Sequence, residues 1–405
     1  MLKRALATVT AVICAGAIAF AANIPLLSGP QPAGDIVSIL NGLINTINSS
    51  ITPQSMAPYS GPRNYLDNGS MQIQQRGTGV VTCAANAGIT AAAYGADRWG
   101  CQANVGSGAG RMQVITAAPA PPTGFTASQK LTRLSGALTQ PICAWQEVPT
   151  TQATELANQT VTVSAQVQAL AGLAADNGNA FNLVIITGTG TDEGFGTPTA
   201  SPAITPAWTG IATPLNKAFT ATTSWVRYQA SVAIPSTVTE IAVGICFTPT
   251  ATGAGATDGL AFTGVQLEQG SVASAYEYRP IAIELARAQR FYWQTTEPAA
   301  SISIGASGQG ASTTTCILSI PLPVTMRAAP TYASLGTALG ASTWTVTHVV
   351  TNTALSTPFL AATTGGHTTN VLNLTATTGA ALTAGQTCTL TGAGGGNIIS
   401  ASADF

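Results

Sequence analysis

The side chains able to do chemistry are few. Across 405 residues there are fifteen carboxylates, two histidines and seven cysteines. Glycoside hydrolysis needs two carboxylates across a cleft. The nearest approach to such a pair is Asp192-Glu193, inside the Gly-rich stretch 188–196, where a solvated loop tip is the simpler assignment. His348 and His367 have no partner close by in sequence and read as loop or surface residues. HExxH, GxSxG, Walker and strand-linked GxGxxG patterns are all missing, so no enzyme activity, cofactor or catalytic residue is expected. The cysteines, at 14, 83, 101, 143, 246, 316 and 388, lack metal-ligand spacing. They read as small buried hydrophobes, with Cys83 and Cys101 the best placed for a disulfide. A structural calcium would draw on Asp258 or Asp67, but no metal is expected. What is left is ligand binding by stacking, the CH face of a sugar against a flat ring. Trp208, in the loop-like Pro206–Gly210, is the first candidate for ligand binding, followed by Trp145 and Tyr59.

The elements that must position these rings follow from texture. Only 7% of the residues are charged, against about a quarter in ordinary domains. Lysine occurs only at 3, 130 and 217, and the net charge is −1. Such a surface offers no footprint for nucleic acid and suits an extracellular or virion protein. Residues 1–22 have a basic start (Lys3, Arg4), an apolar run and a small-residue site at Ala19–Ala21. They read as a secretory signal or, if retained, as an apolar arm buried against a partner. The run is too short for the roughly 20 residues of a membrane span. Pro25, Pro30 and Pro32 make 23–33 a linker, and a short helix follows from Asp35 until Pro53. Ile36, Leu40, Leu43 and Ile47 recur at heptad spacing on it. Either the helix packs on its own domain or it bundles three copies, and the trimer is the expected state. From 64 to 280 short alternating runs such as Val161-x-Val163-x-Ala165-x-Val167 predict a β-sandwich of jelly-roll type. Residues 294–405 are rich in Thr, Ala and Gly, with strand-like pieces that predict a smaller β-domain.

Several motifs agree with one another. Asn64-Tyr-Leu-Asp-Asn-Gly-Ser-Met-x-x-x-Gln75-Arg76-Gly77, Ala96-Asp97-Arg98-Trp99, Trp225-x-Arg227-Tyr228, Gln266-Leu267-Glu268 and Tyr276-Glu277-x-Arg279-Pro280 stand in that order. Together they resemble a module common in tailed-bacteriophage appendage proteins, related to carbohydrate-binding jelly rolls. The resemblance implies three parts: an anchoring arm and oligomerisation helix over 1–57, a jelly roll over 58–285, and a C-terminal β-domain over 286–405. It assigns Trp99, Trp225 and Trp293 to core or seam. Glu268, Glu277 and Arg279 become a structural seam, with the glutamates paired to arginines such as Arg279 or Arg98. The implied function is a structural virion protein (fibre, spike or decoration) that meets other virion proteins through residues 1–50 and touches a bacterial surface glycan. The alternative is a secreted bacterial carbohydrate-binding protein with a cleaved signal peptide. A virion protein assembled in cytoplasm would keep its thiols reduced. If the heptad seam holds three copies together, Leu43→Asp lowers the oligomeric state. Native mass spectrometry of the intact chain checks this, and a stable monomer for the unaltered protein overturns it.

Overall fold

Alternation of apolar and polar residues from 81 to 269 sends every second side chain to one face, and the chain buries those faces against each other. A computed structural model describes residues 63–77, 79–85, 93–103, 110–134, 139–195, 206–251, 258–295, 303–335, 344–348, 353–355, 359–362, 367–377, 384–392 and 398–405. The arm, the helix carrying Ile36, Leu40, Leu43 and Ile47, and Tyr59 lie outside the described residues. In chain order the strands are β1 Val81–Thr82, β2 Ala84–Ala85, β3 Gly100–Ala103, β4 Gly110–Ile115, β5 Ser128–Arg133 and β6 Ile142–Val148. They continue with β7 Thr160–Ala169, β8 Ala180–Gly188, β9 Ala212–Thr220, β10 Val226–Ala233, β11 Glu240–Phe247 and β12 Gly259–Gln269. Two six-stranded sheets result. The front sheet has the order β1-β4-β5-β12-β7-β10 and the back sheet β2-β3-β6-β11-β8-β9. From β5 to β12 the chain passes between the sheets at every connection except the β8–β9 hairpin, as a jelly roll does.

Val161, Val163, Ala165 and Val167 of β7 face Phe181, Leu183 and Ile185 of β8 and Ile241, Val243 and Ile245 of β11 in one shared core. Along β12 the inward set is Leu260, Phe262, Val265 and Leu267, a break in alternation after Phe262. The register slips between Thr263 and Gln266, and Gly264 takes φ +61° there. This is a bulge whose left-handed residue is glycine. It returns Val265 and Leu267 to the core.

Helix α1, Ile281–Gln289, leads out of the sandwich. The remaining strands are β13 Tyr292–Gln294, β14 Ser303–Gly310, β15 Thr315–Pro321, β16 Thr331–Leu335, β17 Trp344–His348, β18 Thr353–Leu355, β19 Phe359–Ala362, β20 Val371–Thr377, β21 Thr387–Gly392 and β22 Ile398–Ser402. They form a three-stranded sheet, β13-β22-β16, and a seven-stranded one, β18-β17-β21-β14-β15-β20-β19. Their core contains Leu318, Ile320, Leu372, Leu374, Leu390 and Ile399. The protein is thus mainly β, a jelly-roll sandwich followed by a smaller β assembly, and Gly61–Phe405 forms one compact unit.

Three disulfides staple it: Cys83–Cys101, Cys143–Cys246 and Cys316–Cys388. The first is the expected pair. The other two correct the reading of those cysteines as isolated hydrophobes. Cys143 and Cys246 are directly opposite on β6 and β11, 103 residues apart in sequence, and only the strand register brings them together.

A buried polar junction ties the opening segment to α1 and the C-terminal strands. Asp67 lies between Arg98, at 3.4 Å, and Arg287 of α1. Asn68, at φ +50°, donates its backbone N–H to Glu284 of α1 and its side-chain amide to the carbonyls of Ile73 and Asp97. The guanidinium of Arg98 stacks over Phe291 at 3.4 Å and donates to the Glu147 carbonyl at 2.6 Å. Arg76 pairs with Asp404, and Arg327 pairs with Asp192 at 2.8 Å. Burial pushes the Glu147 carboxyl up to about 8, against the pull of Arg98 and of the Phe195 N–H. Its folded-state pKa therefore lies above its unfolded value of 4.5. The native state holds a proton that the unfolded chain gives up, so this contribution to stability is full below pH 4.5 and is lost as pH rises toward 8. Each pKa unit is worth about 1.4 kcal/mol. Glu147→Gln, which fixes the neutral form, is expected to melt higher than the parent at pH 8 and to narrow that gap at pH 4.5. Thermal melts of both proteins across this range check it, and parallel pH profiles overturn it.

Candidate functional site

The three tryptophan-based expectations separate on the two outer faces of the sandwich. On the back sheet, Trp145 lies flat on β11 opposite Gly244, where a Cβ would sit 2.2 Å from its ring. A glycine is required by that close approach. The loop after β8 folds over this face and brings Phe195 to 4.9 Å from Trp145, with Trp208 at 5.7 Å from Phe195. Val184, Ile186, Ala242 and the Cys143–Cys246 disulfide complete the cluster. Trp145 is 1% and Trp208 5% exposed, and the Trp208 indole N–H is spent on the Gly194 carbonyl. Neither ring offers a face to a sugar, which corrects the loop reading of Trp208. Its flanking residues are solvent-facing, but its ring fills the hollow that the β8–β9 connection must cover.

The acidic loop beside this cluster is equally committed. Asp192 accepts from Thr150 N–H at 2.9 Å and pairs with Arg327. The Glu193 carboxylate accepts from the N–H and hydroxyl of Thr209, and its own N–H donates to Glu240. Burial, with the neighbouring Glu193 charge, pushes Glu240 up to about 7. His367 accepts the Asn373 N–H at 3.2 Å through Nδ1, and burial lowers its pKa. Among the described residues no group of three or more His, Cys, Asp and Glu could hold a metal ion, and no helix is long and apolar enough to cross a membrane.

The seam residues hold a corner, and only part of the expected pairing is present. Glu277 accepts from the N–H groups of Arg63 and Asn64 at 3.1 and 2.7 Å and pairs with Arg279 at 3.1 Å. Arg279 continues to Glu284 at 2.8 Å and to the carbonyls of Leu66 and Asn64. Glu268 instead receives the Ser274 N–H and hydroxyl and the Gln266 amide. It points out of the front sheet, away from that arginine, and Arg98 is engaged by Asp67.

The front sheet turns a polar face outward. Met112, Val114, Leu131, Leu260, Phe262, Val167 and Ala169 point into the core, so the residues between them point outward. Register aligns Gln113, Lys130, Ala261 and Gln168 in one row across four strands, and the next row holds Arg111, Thr132 and Gly259. Small residues on β12 between long polar ones on β5 and β7 make a shallow trough. Trp225 stands at its far edge beside Gln168, one residue before β10, where Val226 pairs with Val167. It shares the outward parity of Arg227, whose guanidinium reaches Ser164 on this face at 2.8 Å. A proline-rich strap, 116–127, reaches across from β4 and β5. The Trp225 indole N–H donates to its Ala120 carbonyl at 2.7 Å. At the strap's other end Phe125 packs on Tyr276 and Tyr278, at 5.1 and 5.5 Å, and Tyr278 is 57% exposed. The core-or-seam assignment of Trp225 is therefore corrected. The signal was in the sequence: Trp225, Arg227, Gln229 and Ser231 form the polar half of the β10 alternation.

No family model matches the sequence, and no curated protein matches it either. Among solved structures the chain is similar to the enzymatically active domain of bacteriophage CBA120 tailspike protein 4. The identity is 8% and the TM-score 0.27, over 43% of this chain and 19% of that one. The CBM22-1–GH10 modules of a Clostridium thermocellum xylanase complexed with xylohexaose give 13% identity and a TM-score of 0.26, over 48% of this chain and 29% of that one. TmCBM61 in complex with beta-1,4-galactotriose gives 11% identity and a TM-score of 0.27, over 52% of this chain and all of the other. This chain thus spans less than a third of the first two. Likeness at this level carries no ligand or residue to it.

Because Trp208 is a cover for the back sheet, Trp208→Ala is expected to destabilise the sandwich, by about 3 kcal/mol on the scale of buried aromatic truncations. Chemical denaturation checks it. An unchanged unfolding midpoint would mean that the ring is not packed as described.

Proposed function

We propose that this chain is a non-catalytic, glycan-binding structural protein of a tailed-phage virion, a fibre, spike or decoration. It attaches through its N-terminal arm, assembles as a homotrimer and contacts the host surface with the front sheet of its sandwich. The observation that carries the binding half is the row Gln113, Lys130, Ala261, Gln168 closed by the half-exposed Trp225. It combines a ring for the CH face of a sugar with amide and ammonium donors for its hydroxyls, on strands rather than on a loop. Binding sites on regular elements hold their geometry better than sites on loops. The virion half rests on the ordered motifs from Asn64 to Pro280. One sugar stacked on one ring is worth on the order of −4 kcal/mol, a millimolar affinity, and three copies raise this through avidity.

A second reading is a secreted carbohydrate-binding protein. The three disulfides fit an oxidising medium, which a released virion and a secreted protein both meet. N-terminal sequencing of the native protein separates the two, since a start near Asn23 marks secretion and an intact N-terminus in purified particles marks the virion. For the binding half, Trp225→Ala is expected to remove most glycan-array signal while shifting the melting temperature little, because the ring is only half buried. If the variant retains full binding, the front sheet is not the receptor face.

A further inference from the structure

The near end of the trough deepens into a recess of about 110 Å³ lined by Val80, Arg111, Met112, Gln113, Lys130 and Thr132. Its polar residues come from two paired strands in fixed register, Arg111 opposite Thr132 and Gln113 opposite Lys130. Arg111 and Lys130 are thus diagonal neighbours on one face, about 7–8 Å apart at the backbone. Like charges on neighbouring strands repel, and a carboxylate beside them would offset this. The ion pairs among the described residues engage Arg76, Arg98, Arg133, Arg279, Arg287 and Arg327 and leave Arg111 and Lys130 out. Glu268, also on the front face, lies on the far side of the β12 bulge and is bound to Ser274. In a chain with fourteen lysines and arginines in 405 residues, these two cations, neither in an ion pair among the described residues, flank one recess on the outward face of the sheet.

Resting on the glycan reading above, we infer that this recess is an anion subsite and that the ligand of the front sheet is an acidic saccharide. Its carboxylate, sulfate or phosphate group sits between the Arg111 guanidinium and the Lys130 ammonium. Gln113 and Thr132 hydrogen-bond the attached ring, and the chain of sugars runs along the row toward Gln168 and Trp225. Charge-assisted hydrogen bonds to such a group are about twice as strong as neutral ones. The recess has room for an anionic substituent, which matches a subsite at the rim of a longer groove.

The test uses the full-length protein and three immobilised polymers: polygalacturonate for carboxylates, dextran sulfate for sulfate esters, and neutral dextran. The expected result is retention on at least one acidic polymer that weakens steeply with added salt and falls at least tenfold in Arg111→Gln/Lys130→Gln, with the melting temperature kept. Comparing the two acidic polymers identifies the anion. Equal retention of parent and double variant on the acidic polymers overturns the inference, as does retention on dextran equal to that on both. Loss of acidic-polymer binding in the double variant with none in Trp225→Ala would keep the anion subsite and remove the stacking site. Binding of neutral glycans alone, abolished by Trp225→Ala, would do the reverse.

Discussion

The carboxylate of Asp67, enclosed between the guanidiniums of Arg98 and Arg287, is the contact on which the remaining architecture turns. A carboxylate this deeply buried is tolerable only if paired, and burial raises its pKa while the two arginines more than offset it and leave it below the usual value. Each partner belongs to a different piece of chain. Asp67 sits in the opening segment, Arg98 in the turn before β3 and Arg287 in the helix that leaves the sandwich. Arg98 then passes the constraint on through Phe291 to the three-stranded sheet, whose β13 begins one residue later. Removing Asp67 would leave the Arg98 guanidinium uncompensated in the interior, so the opening segment, the sandwich and the exit helix are fixed as a set.

Much of this arrangement was readable from the chain, and the reason is local. Alternation in β7 is strict because its two faces have different neighbours, and together with the apolar runs of β8 and β11 it predicted the sandwich. The pieces at 314–320, 371–377 and 387–390 likewise coincide with β15, β20 and β21. What escaped was non-local. The Cys143–Cys246 and Cys316–Cys388 bonds depend on strand order, which no spacing rule conveys. Glu268 stands in the same seam motif as Glu277 and Arg279, which suggests an arginine partner, whereas it is bound to Ser274 and Gln266. Trp208 and Trp225 exchanged roles because sequence context was weighed instead of parity. A tryptophan among Pro, Ala, Thr and Gly looks like a loop residue whether its ring points out or covers a strand.

The two outer faces of the sandwich show how one scaffold yields an apolar surface and a polar one. The back sheet carries Trp145, Val184 and Ile186 outward, an apolar face that must be covered, and the β8–β9 connection supplies Phe195 and Trp208 as its cover. The front sheet carries Gln, Thr, Ser, Lys and Arg outward, which need no cover. Its strap is bound by one indole hydrogen bond and one aromatic cluster at its ends, and on this face Ala261 and Thr263 are buried while Gln113, Lys130 and Gln168 stay part-exposed. Composition of a single outward row thus decides which sheet needs an apolar cover.

Cys143 and Cys246 enclose a loop of 103 residues, and Cys316 and Cys388 one of 72. In mechanical terms each bond is a bypass. A pull on the two ends of the chain passes through sulfur at these points and never loads the strands between them. The first loop takes in most of β6 through β11, which unravelled would release about 340–370 Å of extended chain. With the bond closed that length is withheld. Tension transmitted along this polypeptide therefore reaches the opening segment, β12 and the exit helix first, and the two strands carrying the bypass hold their register until a covalent bond breaks.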